Sequence, residues 1–299
     1  MAHNHARVLS GLASTRLDLI VDTDGERAAK LAADVGCGSA RELGHGLWDA
    51  AIIATPPQTH AELAVELLSR GIPVLVEKPM AIELTDVRRI LETSARLRVP
   101  LTCGFVERFN PVVGAALSVL DERPVHIVGM RHSPPSLRAT ASSVVHDLLI
   151  HDVDLAMVLN PGGALRRACG STWVAPNGVV EVADALLTFD DTMLATLSAS
   201  RAGQRKVRSM SVMTTSKLIE LDLLRQDLTV YEHIDFPLGD TGLDYRTKTV
   251  IDIPFVRHVG EPLALEIQHF VALVRGEADM DAELATLLAP HVAVASVTA

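Results

Sequence analysis

The chain has 299 residues, 48% of them hydrophobic and 21% charged, which is enough apolar sequence for one large domain or two ordinary ones. Its 37 acidic side chains outnumber the 27 basic ones, and no lysine and arginine cluster could neutralise a run of phosphates, so we expect no nucleic-acid partner. No apolar stretch approaches the roughly 18 residues of a membrane span, so we expect no membrane partner either.

The cysteines and the N-terminus indicate the compartment. Cys37, Cys103 and Cys169 lie far apart with no Cys-x-x-Cys pair, and the first residues are too polar for a signal peptide. This pattern favours a reducing cytoplasm and speaks against a zinc site. We interpret each cysteine as a small core residue.

Short apolar runs alternate with amphipathic stretches over the first hundred residues. The pattern predicts strands at 17–21, 49–54, 72–76 and 99–104, and helices at 26–35, 60–70 and 84–97. Because the strands are apolar throughout, they suit a parallel sheet covered on both faces. The sequence therefore predicts an α/β fold that begins with a doubly wound domain.

The pattern changes after Phe109. Helices are predicted at 111–120, 144–159, 263–275 and 282–297, with a strand at 125–131 and mostly strands from 165 to 253. In 193–201, apolar Ala195, Leu197 and Ala199 alternate with Thr196, Ser198 and Ser200, which predicts a sheet with one buried face. We place the domains at 1–108 and 109–299.

In a doubly wound sheet, ligands bind beyond the carboxyl ends of the strands. Asp22 follows the first predicted strand, where an acidic residue accepts hydrogen bonds from an adenosine ribose and would repel a 2′-phosphate. Asp22 thus favours NAD over NADP. Helix capping by Asp22 or Asp24 is an equal alternative.

Two further strand ends carry candidate residues. In the Thr55-Pro56-Pro57 turn the prolines could support a flat ring, although a plain strand-to-helix turn is the simpler interpretation. Lys78, one of only 5 lysines against 22 arginines, follows Glu77 after a buried strand. An ammonium group there can stabilise a developing alkoxide or relay its proton; a rim ion pair is the alternative.

Two segments outside these turns complete the set of candidates. Arg108 and Asn110 leave the first domain and are expected to face a cleft that holds a small molecule. Asp147 and His151 are four residues apart on a predicted helix, where a carboxylate can orient an imidazole as general base. For such a pair alone, a solvated polar face is the usual alternative.

Together these motifs resemble the glucose-fructose oxidoreductase/inositol dehydrogenase family, Gfo/Idh/MocA. The similarity covers nearly the whole chain and rests on these segments: His5-Ala-Arg-Val-Leu9, Thr55-Pro-Pro-Gln-Thr-His60, Glu77-Lys-Pro79, Arg108-Phe-Asn-Pro111 and Asp147-x-x-x-His151. The combination is far more specific than any single motif.

The resemblance implies a role for each matched residue. It implies catalysis by Lys78, Asp147 and His151, and substrate contacts from Lys78, Arg108, Asn110 and His151. The implied cofactor contacts are Asp22, Thr55, Pro56, Pro57, His60 and Glu77. It also implies a second α/β domain with an open, mainly antiparallel sheet that forms a homodimer or homotetramer. The implied cofactor is a nicotinamide nucleotide, and the implied substrate is a secondary alcohol or carbonyl on a sugar. We expect no metal.

Within the family, the segments around Arg108 and His151 look like the nucleotide-sugar 3-dehydrogenases that act on UDP-N-acetylglucosamine. An inositol or simple hexose dehydrogenase is the close alternative. A non-catalytic sugar-binding relative that cannot hold NAD is a further one.

One family feature is missing. The family opens with a strand and a Gly-x-Gly-x-x-Gly/Ala loop that cradles the pyrophosphate, whereas here Ala2 takes the third fingerprint position. Because that strand is central in the order 3-2-1-4-5-6, we expect two neighbouring strands to keep unpaired backbone groups. We therefore expect either a start codon placed too late or a degenerate copy.

Overall fold

The computed structural model describes residues 1–44, 46, 48–135, 142–190, 193–238, 244–257 and 260–298. The chain divides into two compact units, Met1–Val106 with Gly260–Leu288, and Glu107–Val259 with Ala289–Ala299. The predicted division into 1–108 and 109–299 is thus corrected for residues 260–288, which belong to the first unit.

The regular elements follow the predicted order. The α-helices are α1 (Ala2–Gly11), α2 (Gly25–Val35), α3 (His60–Ser69), α4 (Leu84–Leu97), α5 (Pro111–Val119), α6 (Ile150–Val158), α7 (Pro262–Val274) and α8 (Met280–Thr298). The strands are β1 (Leu19–Val21), β2 (Gly38–Ala40), β3 (Ala51–Ile53), β4 (Val74–Val76), β5 (Leu101–Cys103), β6 (His126–His132), β7 (Leu165–Val174), β8 (Val180–Phe189), β9 (Leu194–Ser200), β10 (Val207–Met213), β11 (Lys217–Asp222), β12 (Asp227–Leu238) and β13 (Asp244–Asp252).

The first unit contains two small parallel sheets. One pairs β1 with β2, and the other places β4 between β3 and β5. All residues of β4 and β5 are buried, as a parallel sheet covered by helices requires. The predicted α/β fold class is confirmed. Strand β2 escaped prediction because its Gly-Ser-Ala sequence is neither apolar nor β-branched.

The two sheets are not joined to each other. Among the described residues, each of β1 and β3 is hydrogen-bonded to a neighbour on one side only. All of β1 and the first two residues of β3 are half-buried, in contrast to β4. This separation lies where the resemblance implies a further central strand.

Helix α1 joins the start of the chain to its later segment. Val8 packs in one apolar cluster with Leu263 and Ile267 of α7. Thr102, in β5, donates a hydrogen bond of 2.5 Å to the Glu283 carboxylate in α8. These contacts explain why residues 260–288 belong to the first unit.

The second unit is built on one open eight-stranded sheet, in the order β13-β12-β11-β10-β6-β9-β8-β7. The β6–β9 pair is parallel and the other pairs are antiparallel, which confirms the predicted mainly antiparallel sheet. In β9, Ala195, Leu197 and Ala199 are buried as predicted. Ser200 was predicted on the exposed face but is buried.

The outer face of this sheet carries apolar side chains. Met130, Leu186 and Leu194 are each 40–42% exposed on neighbouring strands. Such a face is compatible with the predicted partner subunit, and the oligomer stays a prediction.

Helix α8 corrects one expectation about length and hydropathy. Its segment Met280–Val297 is long and apolar enough for a membrane span, with a mean hydropathy of 1.2. A third of that segment is buried inside the protein. Its first turn also carries Asp281 and Glu283, which bond to Arg98 and Thr102. Its apolar residues Leu287, Ala293, Val294 and Val297 are buried.

Candidate active site

Lys78 follows the central strand β4 at its carboxyl end. In the run from Ile72 to Ala81 it is the single half-buried residue, and its neighbours on both sides are buried. The Lys78–Pro79 peptide bond is cis. A buried strand and a buried following segment therefore hold this lysine at the edge of the sheet, where the sequence predicts it.

Glu77 is buried beneath this position. Its Oε1 atom lies 2.7 Å from Nε2 of His5, and its Oε2 atom accepts a hydrogen bond from the Lys78 backbone N–H. Gly104 lies so close that a Cβ atom there would be 3.1 Å from Glu77 Oε2. The contacts show Glu77 tying α1 to the Lys78 segment; its predicted nucleotide contact stays a prediction.

Asp22 lies at the end of β1, with its carboxylate only partly exposed. It accepts a hydrogen bond of 2.9 Å from the Asp24 backbone and pairs with Arg27 at 2.8 Å. The Arg27 hydrogen bond, followed by the backbone bond, lowers the pKa of Asp22. Asp24, not Asp22, caps α2. Asp22 thus stands at the strand end with a lowered pKa, and its predicted ribose contact stays a prediction.

The Thr55-Pro56-Pro57 turn is tied to the Lys78 segment by a buried histidine. His60 Nε2 lies 2.9 Å from the Thr55 carbonyl, and Nδ1 lies 2.9 Å from the Pro79 carbonyl. The Thr55 and Thr59 hydroxyls are bonded at 2.7 Å. The side chain of His60 therefore links the turn after β3 to the turn after β4, while Thr55 and Pro56 stay exposed.

The helix that carries Asp147 and His151 is not a uniform α-helix. Val145–Leu149 form a π-helical turn, and α6 begins at Ile150. The predicted single α-helix at 144–159 is corrected accordingly. Because a π-turn changes the register of residues four apart, the predicted contact between these two side chains stays a prediction. Such turns often occur at functional sites.

Asp147 has a cationic neighbour that the sequence did not single out. Arg201 Nη1 lies 3.5 Å from Asp147 Oδ2, and Arg201 also pairs with Glu181 at 2.7 Å. Arg201 is 8% exposed, whereas the Asp147 side chain is 33% exposed. The buried Arg201 thus contacts the partly exposed Asp147 carboxylate from its buried side.

Arg108 and Asn110 have different surroundings. Arg108 makes a two-pronged ion pair with Asp154, with distances of 2.8 and 2.5 Å. Asn110 is 3% exposed, caps α5 and donates to the Leu223 carbonyl. The buried amide of Asn110 is thus used within the second unit, and its predicted substrate contact stays a prediction.

A buried ionic network lies next to these residues. Arg131 donates to Glu107 at 2.8 Å and to Asp152 at 2.7 Å, and all three side chains are at least nine-tenths buried. Arg208 donates to the same Glu107 oxygen at 3.1 Å. The network connects β6 and β10 to the helix of His151 and to the turn of Arg108.

Burial and charge act in opposite directions on this network. Burial alone would raise the pKa of Glu107, but the attraction and hydrogen bond of Arg131 leave it lowered. Complete burial raises the pKa of Asp152 in spite of the same arginine. Burial and the Arg131 charge lower the pKa of Arg208.

Sequence reasoning missed Arg131, Arg201 and Arg208. A signal for Arg131 existed, since it shares the buried alternation of β6 with Ile127 and Gly129. Arg201 and Arg208 depend on contacts between distant strands and had no local signal. Across the described part of the chain, no group of three or more His, Cys, Asp or Glu is placed to hold a metal ion.

The comparison with protein families addresses the first unit. Residues 1–105 match a family model described as "Oxidoreductase family, NAD-binding Rossmann fold". This is the model of the Gfo/Idh/MocA family. The resemblance seen in the motifs is confirmed.

Two curated Gfo/Idh/MocA relatives extend the similarity beyond the first unit. The UDP-N-acetylglucosamine 3-dehydrogenase of Acidithiobacillus ferrooxidans is 27% identical over 222 residues, which are 73% of this chain and 70% of that enzyme. The scyllo-inositol 2-dehydrogenase (NAD(+)) of Bacillus subtilis is 26% identical over 266 residues, 79% of this chain and 74% of that enzyme.

A solved structure supports the same fold for the chain as a whole. The Acidithiobacillus ferrooxidans UDP-N-acetylglucosamine 3-dehydrogenase superposes with a TM-score of 0.85 at 23% identity. The match covers 99% of this chain and 92% of that structure. The second unit therefore has the fold of that enzyme too.

Proposed function

We propose that the protein is an NAD-dependent dehydrogenase that transfers a hydride between the nicotinamide and a secondary alcohol or ketone of a sugar. A nucleotide sugar of the UDP-N-acetylglucosamine type is the preferred substrate. The observation that carries the proposal is Lys78, half-buried in an otherwise buried run at the carboxyl end of β4. The printed activities of the two relatives support the reaction class.

The strand ends of the first unit fit a dinucleotide. The ionised Asp22 carboxylate can accept hydrogen bonds from a ribose, and the exposed Thr55-Pro56-Pro57 turn offers hydroxyl groups and a flat apolar surface. When bound, NAD supplies the hydride acceptor or donor. Cys37, Cys103 and Cys169 form no disulfide bond in the described structure, which is compatible with the reducing cytoplasm proposed as the protein's location.

Proton chemistry falls to Lys78 and His151. As the hydride leaves the carbinol carbon, the hydroxyl proton passes to the His151 imidazole, and the Lys78 ammonium stabilises the alkoxide that develops. Asp147 orients the imidazole and favours its protonated form. Arg108, held by Asp154, contacts the substrate.

The proposal is tested with NADH fluorescence titration and with turnover of UDP-N-acetylglucosamine and of inositols. We expect Lys78→Ala to abolish turnover and to leave NADH affinity within a few fold. Lys30→Ala, an exposed lysine of α2 in the same unit, serves as the matched control and should retain turnover. Persistent turnover in the Lys78 variant would contradict its catalytic role.

The separation of the sheets of β1 and β3 favours a second candidate function. This candidate is a relative that binds a sugar through the second unit without holding NAD, whereas the presence of Lys78, Asp147 and His151 together favours the dehydrogenase. NADH titration distinguishes the two candidate functions. The dehydrogenase must bind NADH, whereas the sugar-binding relative must bind the sugar without measurable NADH binding.

A further inference from the structure

We propose that Arg205 and Lys206 form a binding site for the diphosphate of a nucleotide sugar at one end of the eight-stranded sheet. The inference rests on the proposed function and deepens it, because it names the substrate class. It also distinguishes a charged nucleotide sugar from a neutral inositol or hexose.

The charge distribution of this segment departs from the rest of the chain. Residues 201–208 read Arg-Ala-Gly-Gln-Arg-Lys-Val-Arg, with four basic side chains and no acidic one, in a protein with a formal net charge of -10. The segment is too short to neutralise a run of phosphates, as a nucleic acid would need. It is long enough for a single diphosphate.

The strand topology places these basic residues at one end of the sheet. The parallel strands β6 and β9 end at His132 and Ser200, and β10 begins at Val207, paired with His132. The connecting loop is anchored because Ser133 N–H donates to the Ser200 carbonyl and Gly203 N–H donates to the Ser133 carbonyl. Residues 201–208 therefore lie across the carboxyl end of β6.

Ion pairing separates the buried cations from the exposed ones. Arg131 and Arg201 are compensated by four carboxylates: Glu107, Asp152, Glu181 and Asp147. Arg208, with a third of its side chain exposed, shares Glu107 with Arg131. Arg205 and Lys206 are exposed, and neither makes an ion pair within the described residues. These two cations are available to an anionic ligand.

The site is continuous with the surroundings of the proposed general base. Arg201 begins the same loop and lies 3.5 Å from the Asp147 carboxylate, and it donates to the Ser142 carbonyl at 2.5 Å. A diphosphate held by this loop would thus be bound by the segment whose first residue, Arg201, contacts Asp147, the residue proposed to orient His151. A sugar joined directly to that diphosphate suits this arrangement, and a neutral cyclitol has no group for the cations to bind.

The test measures UDP binding by isothermal titration calorimetry. We expect the unmodified protein to bind UDP more tightly at low salt, and Arg205→Ala/Lys206→Ala to weaken binding by about tenfold or more. The control, Arg166→Ala/Arg167→Ala, removes the same charge from two exposed residues of β7. These residues lie at the opposite end of the sheet, because the strand register aligns Arg167 with His126, the first residue of β6. It should leave the UDP affinity unchanged.

Three results would overturn the inference: no UDP binding, equal binding by the Arg205/Lys206 variant, or an equal loss in both double variants. UDP binding needs neither NAD nor turnover, so the two proposals fail separately. Turnover of an inositol without UDP binding would remove the diphosphate site and leave a dehydrogenase. UDP binding without NADH binding would remove the dehydrogenase and leave the site.

Discussion

His5 Nε2 lies 2.7 Å from Glu77 Oε1, so the first helix of the chain contacts the residue directly before Lys78. Both side chains are buried, and the other Glu77 oxygen accepts the Lys78 backbone N–H. A histidine near the start of the chain therefore supports the segment that carries the proposed catalytic lysine.

We expect His5→Ala to destabilise the protein by about 1–3 kcal/mol, because it leaves the buried Glu77 carboxylate without its side-chain partner. Urea unfolding followed by circular dichroism measures the change. His3→Ala, an exposed histidine of the same helix, is the matched control. Equal stability of the two variants would show that the His5–Glu77 contact contributes nothing.

We expect Gly104→Ala to destabilise the protein by about 1–3 kcal/mol, since the added Cβ would lie 3.1 Å from Glu77 Oε2 and 3.2 Å from its Cα atom. Gly114→Ala is the control, as it adds a methyl group in open space on α5. That change should raise stability by about 0.5–1 kcal/mol through helix propensity. Thermal unfolding of both variants tests the opposite signs.

Arg131→Met should cost about 3–5 kcal/mol of unfolding free energy, because two buried carboxylates, Glu107 and Asp152, lose their shared cation. Arg225→Met, with an arginine side chain that is 80% exposed, should change stability by less than about 0.5 kcal/mol. Chemical denaturation compares them. A loss below about 1 kcal/mol in the Arg131 variant would mean that the network relaxes without its central cation.

The network also predicts a pH dependence. The pKa of Glu107 is held below its ordinary value of 4.5, so its ionised form stabilises the fold above that value, and this contribution is lost as the pH falls through the lowered pKa. The stability difference between the unmodified protein and Glu107→Gln should therefore be largest near neutral pH and shrink below about pH 4.5.

Unfolding midpoints measured across an acidic pH series provide the test. Asp152 is present in both proteins, but the Glu107 charge is one of the causes that raise its pKa, after burial, so the comparison measures Glu107 together with its coupling to Asp152. A difference that stays constant down to acid denaturation would show that Glu107 does not carry this pH dependence.

The sequence by itself determined the elements that depend on local periodicity. The predicted helix 84–97 has the observed bounds. The buried strand before Lys78 was predicted because an uninterrupted apolar run is visible in the local sequence. The strand-end position of Lys78 followed from the same pattern. The π-turn at Val145–Leu149 did not, because its apolar pattern is also that of an α-helix.

Only the tertiary structure decided which distant residues meet. Helix α7 belongs with α1 because Val8, Leu263 and Ile267 bury one cluster, and no local pattern records a contact across more than 250 residues. Arg131 contacts Glu107 and Asp152, and the three residues lie in three separate elements of the chain. The sequence alone does not show where the arginines of residues 201–208 lie. The pairing of β6 with β9 and β10 places them at the end of β6, because hydrogen bonds between strands set the register of a sheet.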